Sequence, residues 1–197
     1  REAAEFTNSG HYTDLGKLIE DSDAIFITVP DNAITEVYRQ VAEFEIQDKY
    51  ICHCSGACTA EEAFPGIHAQ GAYAISIHLL FPISSKYNCW RELAVLFLRE
   101  GDAQAVEVFV PLLRGLGLQV QTISPESKAQ YHLSCALASN FVCALVQRSA
   151  ELLGGCGFSQ TDALHALAPL MRSNLAHVIE HGAVSALTGP LSAATRR

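Results

Sequence analysis

The sequence is short of charge, and most of the charge it has is negative. Only 17% of its 197 residues are charged, with 13 Lys and Arg against 21 Asp and Glu, a formal net charge of −8. So acidic a chain has no surplus of cations to hold a nucleic acid or an anionic membrane, and neither is expected as a partner. No run reaches the roughly 20 consecutive apolar residues of a membrane span, and no signal peptide is visible. The glycine-rich turn of a dinucleotide-binding fold is also missing. Gly115-Leu116-Gly117 is the nearest stretch, but it follows a helix pattern and precedes a strand pattern, the wrong order for a phosphate cradle. Arg1 to Glu5 reads as the end of a helix without its beginning, so the expectation is that a β-α-β unit of roughly 30 residues has been lost from the front. The seven cysteines are odd in number and scattered through apolar runs. That pattern fits free or buried thiols in a cytoplasmic protein better than secreted disulfides.

What is present is enough apolar sequence for a sizeable core, since 49% of the chain is hydrophobic. Ala24 to Pro30 is an apolar, β-branched run suited to a strand buried on both faces. Asp31 then opens a helix to about Phe44, with Ile34, Val37, Tyr38 and Val41 on one stripe. Strands follow at 50–54, 72–77, 93–98 and 118–123, with helices at 59–64 and 102–114. This alternation predicts an α/β, Rossmann-like doubly wound parallel sheet over residues 1–123. From Ser124 the patterns are all helical. One helix runs to about Leu153 and stops at Gly154-Gly155, and a second runs from near Ser159 to His181. Residues 124–197 are therefore expected to form a helical domain. The helix before Leu153 is apolar on more than one face, which predicts a homodimer built on these helices.

Ligands of open α/β sheets sit beyond the carboxyl ends of the strands. Here those ends carry Val29-Pro30-Asp31, Ser55-Gly56 and His78. Asp31 reads equally well as a helix cap and as a site residue. Lys128 and His132 lie four residues apart at the start of the long helix and share a face, with Asn140 two turns along a similar stripe. Such groups can supply a proton, or stabilise the charge left by hydride transfer to a C=O or C=N bond. His177-Val178-Ile179-Glu180-His181 spells a zinc-peptidase motif but lacks a later carboxylate as third ligand. Cys52 and Cys54 point away from His53 on their strand. No metal is expected. Cys135, Cys143 and Cys156 read as small core residues.

Several segments together resemble one family. They are Phe26-Ile27-Thr28-Val29-Pro30-Asp31, His53-Cys54-Ser55-Gly56-Ala57, Gly71 to His78, Lys128-Ala129-Gln130-Tyr131-His132, Ala138-Ser139-Asn140 and Ala186-Leu187-Thr188-Gly189-Pro190. The order is similar to that of Rossmann-like NAD(P)-binding proteins with a C-terminal helical domain of unknown function. These are relatives of pyrroline-5-carboxylate reductase, of deazaflavin-dependent NADP oxidoreductases and of the 6-phosphogluconate dehydrogenase group. The resemblance implies NADP (or NAD) held by Val29, Pro30, Asp31, Ser55, Gly56 and His78, and a cleft between the domains for a small-molecule substrate. It implies an oxidoreductase acting on a small carbonyl, imine or hydroxyacid, with Lys128 and His132 handling protons and Asn140 orienting the substrate. A non-catalytic nucleotide- or metabolite-binding dimer is the alternative. The chain departs from the family pattern at Leu79, where proline is usual, and after Pro190.

Overall fold

The computed structural model describes residues 2–81 and 96–187, and within them the chain divides into two compact units that meet at Cys135 and Ala136. The first unit holds a five-stranded sheet: β1 (Ala24–Ile27), β2 (Tyr50–His53), β3 (Tyr73–Leu79), β4 (Leu96–Gly101) and β5 (Gln119–Thr122), in that spatial order. Six helices accompany it: α1 (Glu2–Thr7), α2 (Leu15–Glu20), α3 (Ile34–Val41), α4 (Ala60–Ala63), α5 (Ala103–Gly115) and the first turns of α6 (Lys128–Ala138). The Rossmann-like α/β reading therefore holds, with one difference. β4 runs antiparallel to β3, pairing Ile75 with Gly101 and Leu79 with Phe97, while the other three pairings are parallel. A parallel connection needs a crossover, usually a helix, and no helix pattern separates these two strands in the sequence. Gly101 ends β4 at a positive φ of 146°, and a Cβ there would run into the Ala74 carbonyl and the Ile75 backbone. A glycine is what lets β4 finish so close to β3.

Side chains alternate across the sheet into two cores. On one face Ile25, Ile27, Ile51 and Ala74 pack against Ile34, Tyr38 and Val41 of α3 and Ala63 and Phe64 at α4. Tyr38 and Phe64 lie with ring centroids 5.1 Å apart. On the other face Cys52, Ile75 and Ile77 pack against Ala105 and Phe109 of α5. Phe26 meets Phe109 edge-on there, yet it stays 48% exposed, so β1 is not buried on both faces as its composition suggests. Among the described residues β1 is an edge strand, with β2 its one neighbour.

The second unit carries α7 (Asn140–Gly154), α8 (Gln160–His181) and α9 (Ala183–Ala186). The single long helix expected from Ser124 is instead a 3-10 turn (Pro125–Ser127), α6 and α7, divided at Ser139, whose φ of −123° and ψ of −74° leave the helical region. A serine side chain competes for local backbone groups and so weakens a helix interior. α8 begins as the sequence indicates: the Ser159 side chain accepts from the Asp162 N–H at 3.2 Å. Cys135 is half-buried, but Cys143 and Cys156 are exposed rather than core fillers. The helical run Pro125–Gly154 has the length and apolar content of a membrane span. Ser139 interrupts it, and its first helical residue, Lys128, is fixed by an ion pair in the sheet unit. Parts of two sequence readings, the strand at 93–95 and the segment Thr188-Gly189-Pro190, lie outside the described residues.

Candidate functional site

Strand register places a row of polar side chains inside the first unit. His53 on β2 is level with Ser76 on β3, and Ser76 is level with Glu100 on β4, so all three project from one face. All three are buried, and the side chain of Lys128 from the start of α6 closes over them, itself 2% exposed. The Lys128 ammonium donates to Ser76 Oγ and to Glu100 Oε2, the latter at 3.3 Å. Glu100 also accepts the Ala60 N–H at 3.0 Å, so the N-terminus of α4 shares its charge. A buried ion pair is tolerable when its remaining lone pairs and protons are hydrogen-bonded in this way. Burial pulls the Lys128 amine below the usual lysine range, and the adjacent Glu100 carboxylate opposes that shift.

Above this row the strand ends converge. Ser55 Oγ donates to Asp31 Oδ2 at 2.8 Å and accepts the N–H groups of Ala57 and Cys58 at 3.1 and 3.0 Å. Asp31 thus ties the end of β1 to the end of β2, and it makes no side-chain cap on α3. Val29 is half-buried against the core, and Pro30 precedes the 3-10 turn that leads into α3. Gly56 is a shelf beneath two imidazoles: a Cβ on it would lie 2.8 Å from His78 Nε2 and 3.0 Å from His132 Nδ1. The Tyr131 hydroxyl meets His78 Nδ1 at 2.5 Å, and the two rings stand edge to face. Burial lowers the His78 pKa below the usual imidazole value, and His132 and Lys128 lower it further. His53, deeper and beside the Phe64 ring, is pulled to about 4, first by burial and then by Lys128.

The structure therefore brings together Asp31, Ser55, Gly56, His78, Lys128 and His132, with Val29 and Pro30 on the approach. It separates the two members of the helix-start pair: Lys128 faces inward, whereas His132 is exposed and stands over Gly56. Asn140 is exposed at the start of α7 in the second unit, its Oδ1 accepting from Ser139 Oγ at 3.2 Å. Ser76, His53 and Tyr131 lie within the segments that resemble the family but carry no assigned role there, and Glu100 lies outside every motif. Tyr131 could have been noticed three residues after Lys128 on the same helix face. Glu100 has no local signal, because only the antiparallel register of β4 sets it opposite Ser76. Among the described residues no group of three or more His, Cys, Asp or Glu is arranged to hold a metal. His177 and His181 stack on one another with centroids 4.5 Å apart.

Residues 95–193, half of the chain, match the model of a family described as a domain of unknown function (DUF2520). No curated protein matches the chain. Among solved structures it is similar to protein TM1727 from Thermotoga maritima, with 25% identity and a TM-score of 0.71 over 89% of this chain and 66% of that one. It is similar also to protein BF3122 of Bacteroides fragilis, provisionally named an NADP oxidoreductase (18% identity, TM-score 0.73, 96% of this chain and 70% of that one). A third likeness is to a reductive aminase from Aspergillus terreus in complex with NADPH and ethyl-5-oxohexanoate (17%, TM-score 0.63, 90% of this chain and 64% of that one). The chain thus spans about two thirds of the length of these proteins.

Proposed function

The chain belongs to this DUF2520 family, and we propose that it is an NAD(P)-dependent oxidoreductase, moving hydride to or from a small carbonyl, imine or hydroxyacid substrate. The observation that carries this reading is the convergence of Asp31, Ser55, Gly56, His78 and His132 at the carboxyl edge of the sheet, above buried Lys128. Such an edge is where open α/β sheets bind ligands. The shared fold with a reductive aminase that binds NADPH supports it.

The residues present fit the nicotinamide end of such a cofactor. Asp31 offers an exposed carboxylate, with Pro30 exposed beside it and Val29 and His78 half-buried, while Gly56 lies packed under the His78 and His132 rings and the Ser55 hydroxyl holds Asp31 in place. NADPH, when bound, supplies the hydride. The chain's own residues then handle charge. Lys128 holds its ammonium over Ser76 and beside Glu100, and in this reading that positive centre favours negative charge developing near it. His132 is exposed, and in this reading its imidazole returns a proton to the reduced oxygen or nitrogen. Residues 124–197 serve in this reading as the dimerisation and substrate domain.

The test is a fluorescence titration of the full-length protein with NADPH and NADH, followed by turnover on a panel of carbonyls and imines. Binding of at least one nucleotide is expected, and failure to bind either sinks the reading. Lys128→Met should lower turnover by roughly 10²-fold or more while leaving cofactor affinity nearly unchanged. One observation favours a second reading, a non-catalytic nucleotide- or metabolite-binding module. The Lys128 charge is already answered by Ser76 and Glu100, as in a structural ion pair. Tight binding with no turnover across the panel would select that module.

A further inference from the structure

We propose that Glu100 is the positioning residue of the site: it holds Lys128 as a permanent ammonium over Ser76, and Lys128 acts on the reaction by that charge alone. The inference rests on the oxidoreductase reading above and narrows it, since Lys128 then keeps its proton and the proton return falls to exposed His132. Neighbouring residues put Glu100 in place. Gly101 closes β4 against β3, the Asp102 N–H donates to the Ala74 carbonyl at 2.9 Å, and Asp102 Oδ2 accepts the Ala74 N–H at 2.7 Å. That clamp sets the register in which Glu100 lies level with Ser76.

The geometry leaves Lys128 no other part. Its side chain is 2% exposed and that of Glu100 3%, and Nζ donates to Ser76 Oγ and, at 3.3 Å, to Glu100 Oε2. No substrate touches so buried an amine, and a proton given up there could be replaced only through two groups as buried as itself. A charge, by contrast, acts at a distance, and farther in a buried site than in water. Glu100 and Ser76 differ in what they do for that charge. A hydroxyl accepts from an amine or an ammonium alike, whereas a carboxylate favours the ammonium. Glu100 Oε2 also accepts the Ala60 N–H at 3.0 Å, so the carboxylate is satisfied from the α4 side as well. The titratable groups around Lys128 divide by sign. Burial lowers its pKa, while Glu100 foremost, and then Cys58 and Glu62 from the α4 side, raise it. On β2 and β3 the Lys128 charge works outward: after burial it helps to lower the pKa of His53, and after burial and His132 that of His78 at the strand end. Among the described residues Glu100 is the one carboxylate that bonds Nζ.

The experiment follows the charge of Lys128 directly, in the full-length protein grown with lysine carrying 13C at Cε. The Cε resonance moves when the amine loses its proton, whether or not the protein turns anything over, and Lys128→Met identifies the signal. In the wild type Lys128 should stay an ammonium at every pH at which the enzyme works. Glu100→Gln keeps the shape and an acceptor but not the charge, so there Lys128 should lose its proton at a lower pH than in the wild type. Ser76→Ala should leave that midpoint where it is. With NADPH and a substrate from the panel, the kcat of Glu100→Gln relative to wild type should fall roughly tenfold or more as Lys128 loses its proton, with KM changed less than about twofold. A Lys128 that is neutral in the working wild type, or a midpoint unmoved by Glu100→Gln, overturns the proposal even in an active enzyme. A kcat ratio that stays flat while the midpoint moves also overturns it, because the pair is then structural. Should Glu100→Gln not fold, Ser76→Ala decides: an ammonium kept in both it and the wild type upholds the proposal, and a Lys128 that Ser76→Ala deprives of its proton overturns it. A wild type that binds NADPH but reduces nothing overturns the oxidoreductase reading and the catalytic role with it, and the titration still settles whether Glu100 holds the charge.

Discussion

At the scale of single residues, the polar row His53–Ser76–Glu100 under Lys128 is the least expected feature of the first unit. Its members come from three strands and a helix, and none is adjacent in sequence to another. Burying a charge without a partner is costly, so each member depends on the rest. His53 makes that dependence measurable. Its imidazole titrates near 6.5 in an unfolded chain and at about 4 in the fold. Between those values the unfolded chain takes up a proton that the folded one refuses. The stability His53 contributes is therefore complete above about pH 6.5 and is lost as the pH falls toward 4, to a total of about 3 kcal/mol. His53→Asn keeps an acceptor near the Nδ1 position that receives the Ser55 N–H at 3.2 Å, but it cannot titrate. Urea unfolding at pH 7 and pH 4.5 should show the wild type losing roughly 2 to 3 kcal/mol more than His53→Asn. Parallel losses in the two proteins would mean that His53 is not held neutral by the fold.

At the scale of elements, α4 is only Ala60–Ala63, far too short to be stable alone, yet it brings the Ala60 N–H to Glu100. Its start is a capping box. Thr59 accepts the Glu62 N–H at 3.2 Å, and Glu62 accepts the Thr59 N–H at 2.9 Å. Thr59→Ala should cost about 1 kcal/mol in urea unfolding, and Thr59→Ser much less. Equal losses from both variants would show that the methyl group, not the cap, is what matters. This element was legible in the sequence, because caps, helix stripes and apolar strand runs are local. Strand ends carrying Ser55, Gly56 and His78 were legible for the same reason. The direction of β4 was not, since a short apolar strand reads alike either way. Nor was the helix break at Ser139, where neither proline nor glycine marks the site. Asp31 shows the limit most clearly: its spelling suits a cap, and only the end of β2, 24 residues later, makes it the acceptor of Ser55.

At the scale of the whole molecule, the second unit leaves much apolar surface uncovered within a single chain. On α7, Phe141, Leu145 and Leu152 are 54%, 67% and 61% exposed, and their spacing keeps them on one stripe. On α8, Leu170, Leu175 and Ile179 are 59%, 58% and 76% exposed. Monomers rarely expose contiguous apolar patches beyond a few hundred Å², and an apolar face of this kind is what an obligate dimer covers. We therefore expect the full-length protein to be a homodimer through these helices. Sedimentation equilibrium should give twice the chain mass at micromolar concentration, with a melting temperature that rises with protein concentration. Leu145→Glu places a charge in the middle of the α7 stripe, where a partner would have to bury it. It should shift the equilibrium toward monomer by a factor of roughly 10² or more. A wild type that sediments as a monomer at tens of micromolar would remove the dimer, and the helices would then need another partner for the same stripe.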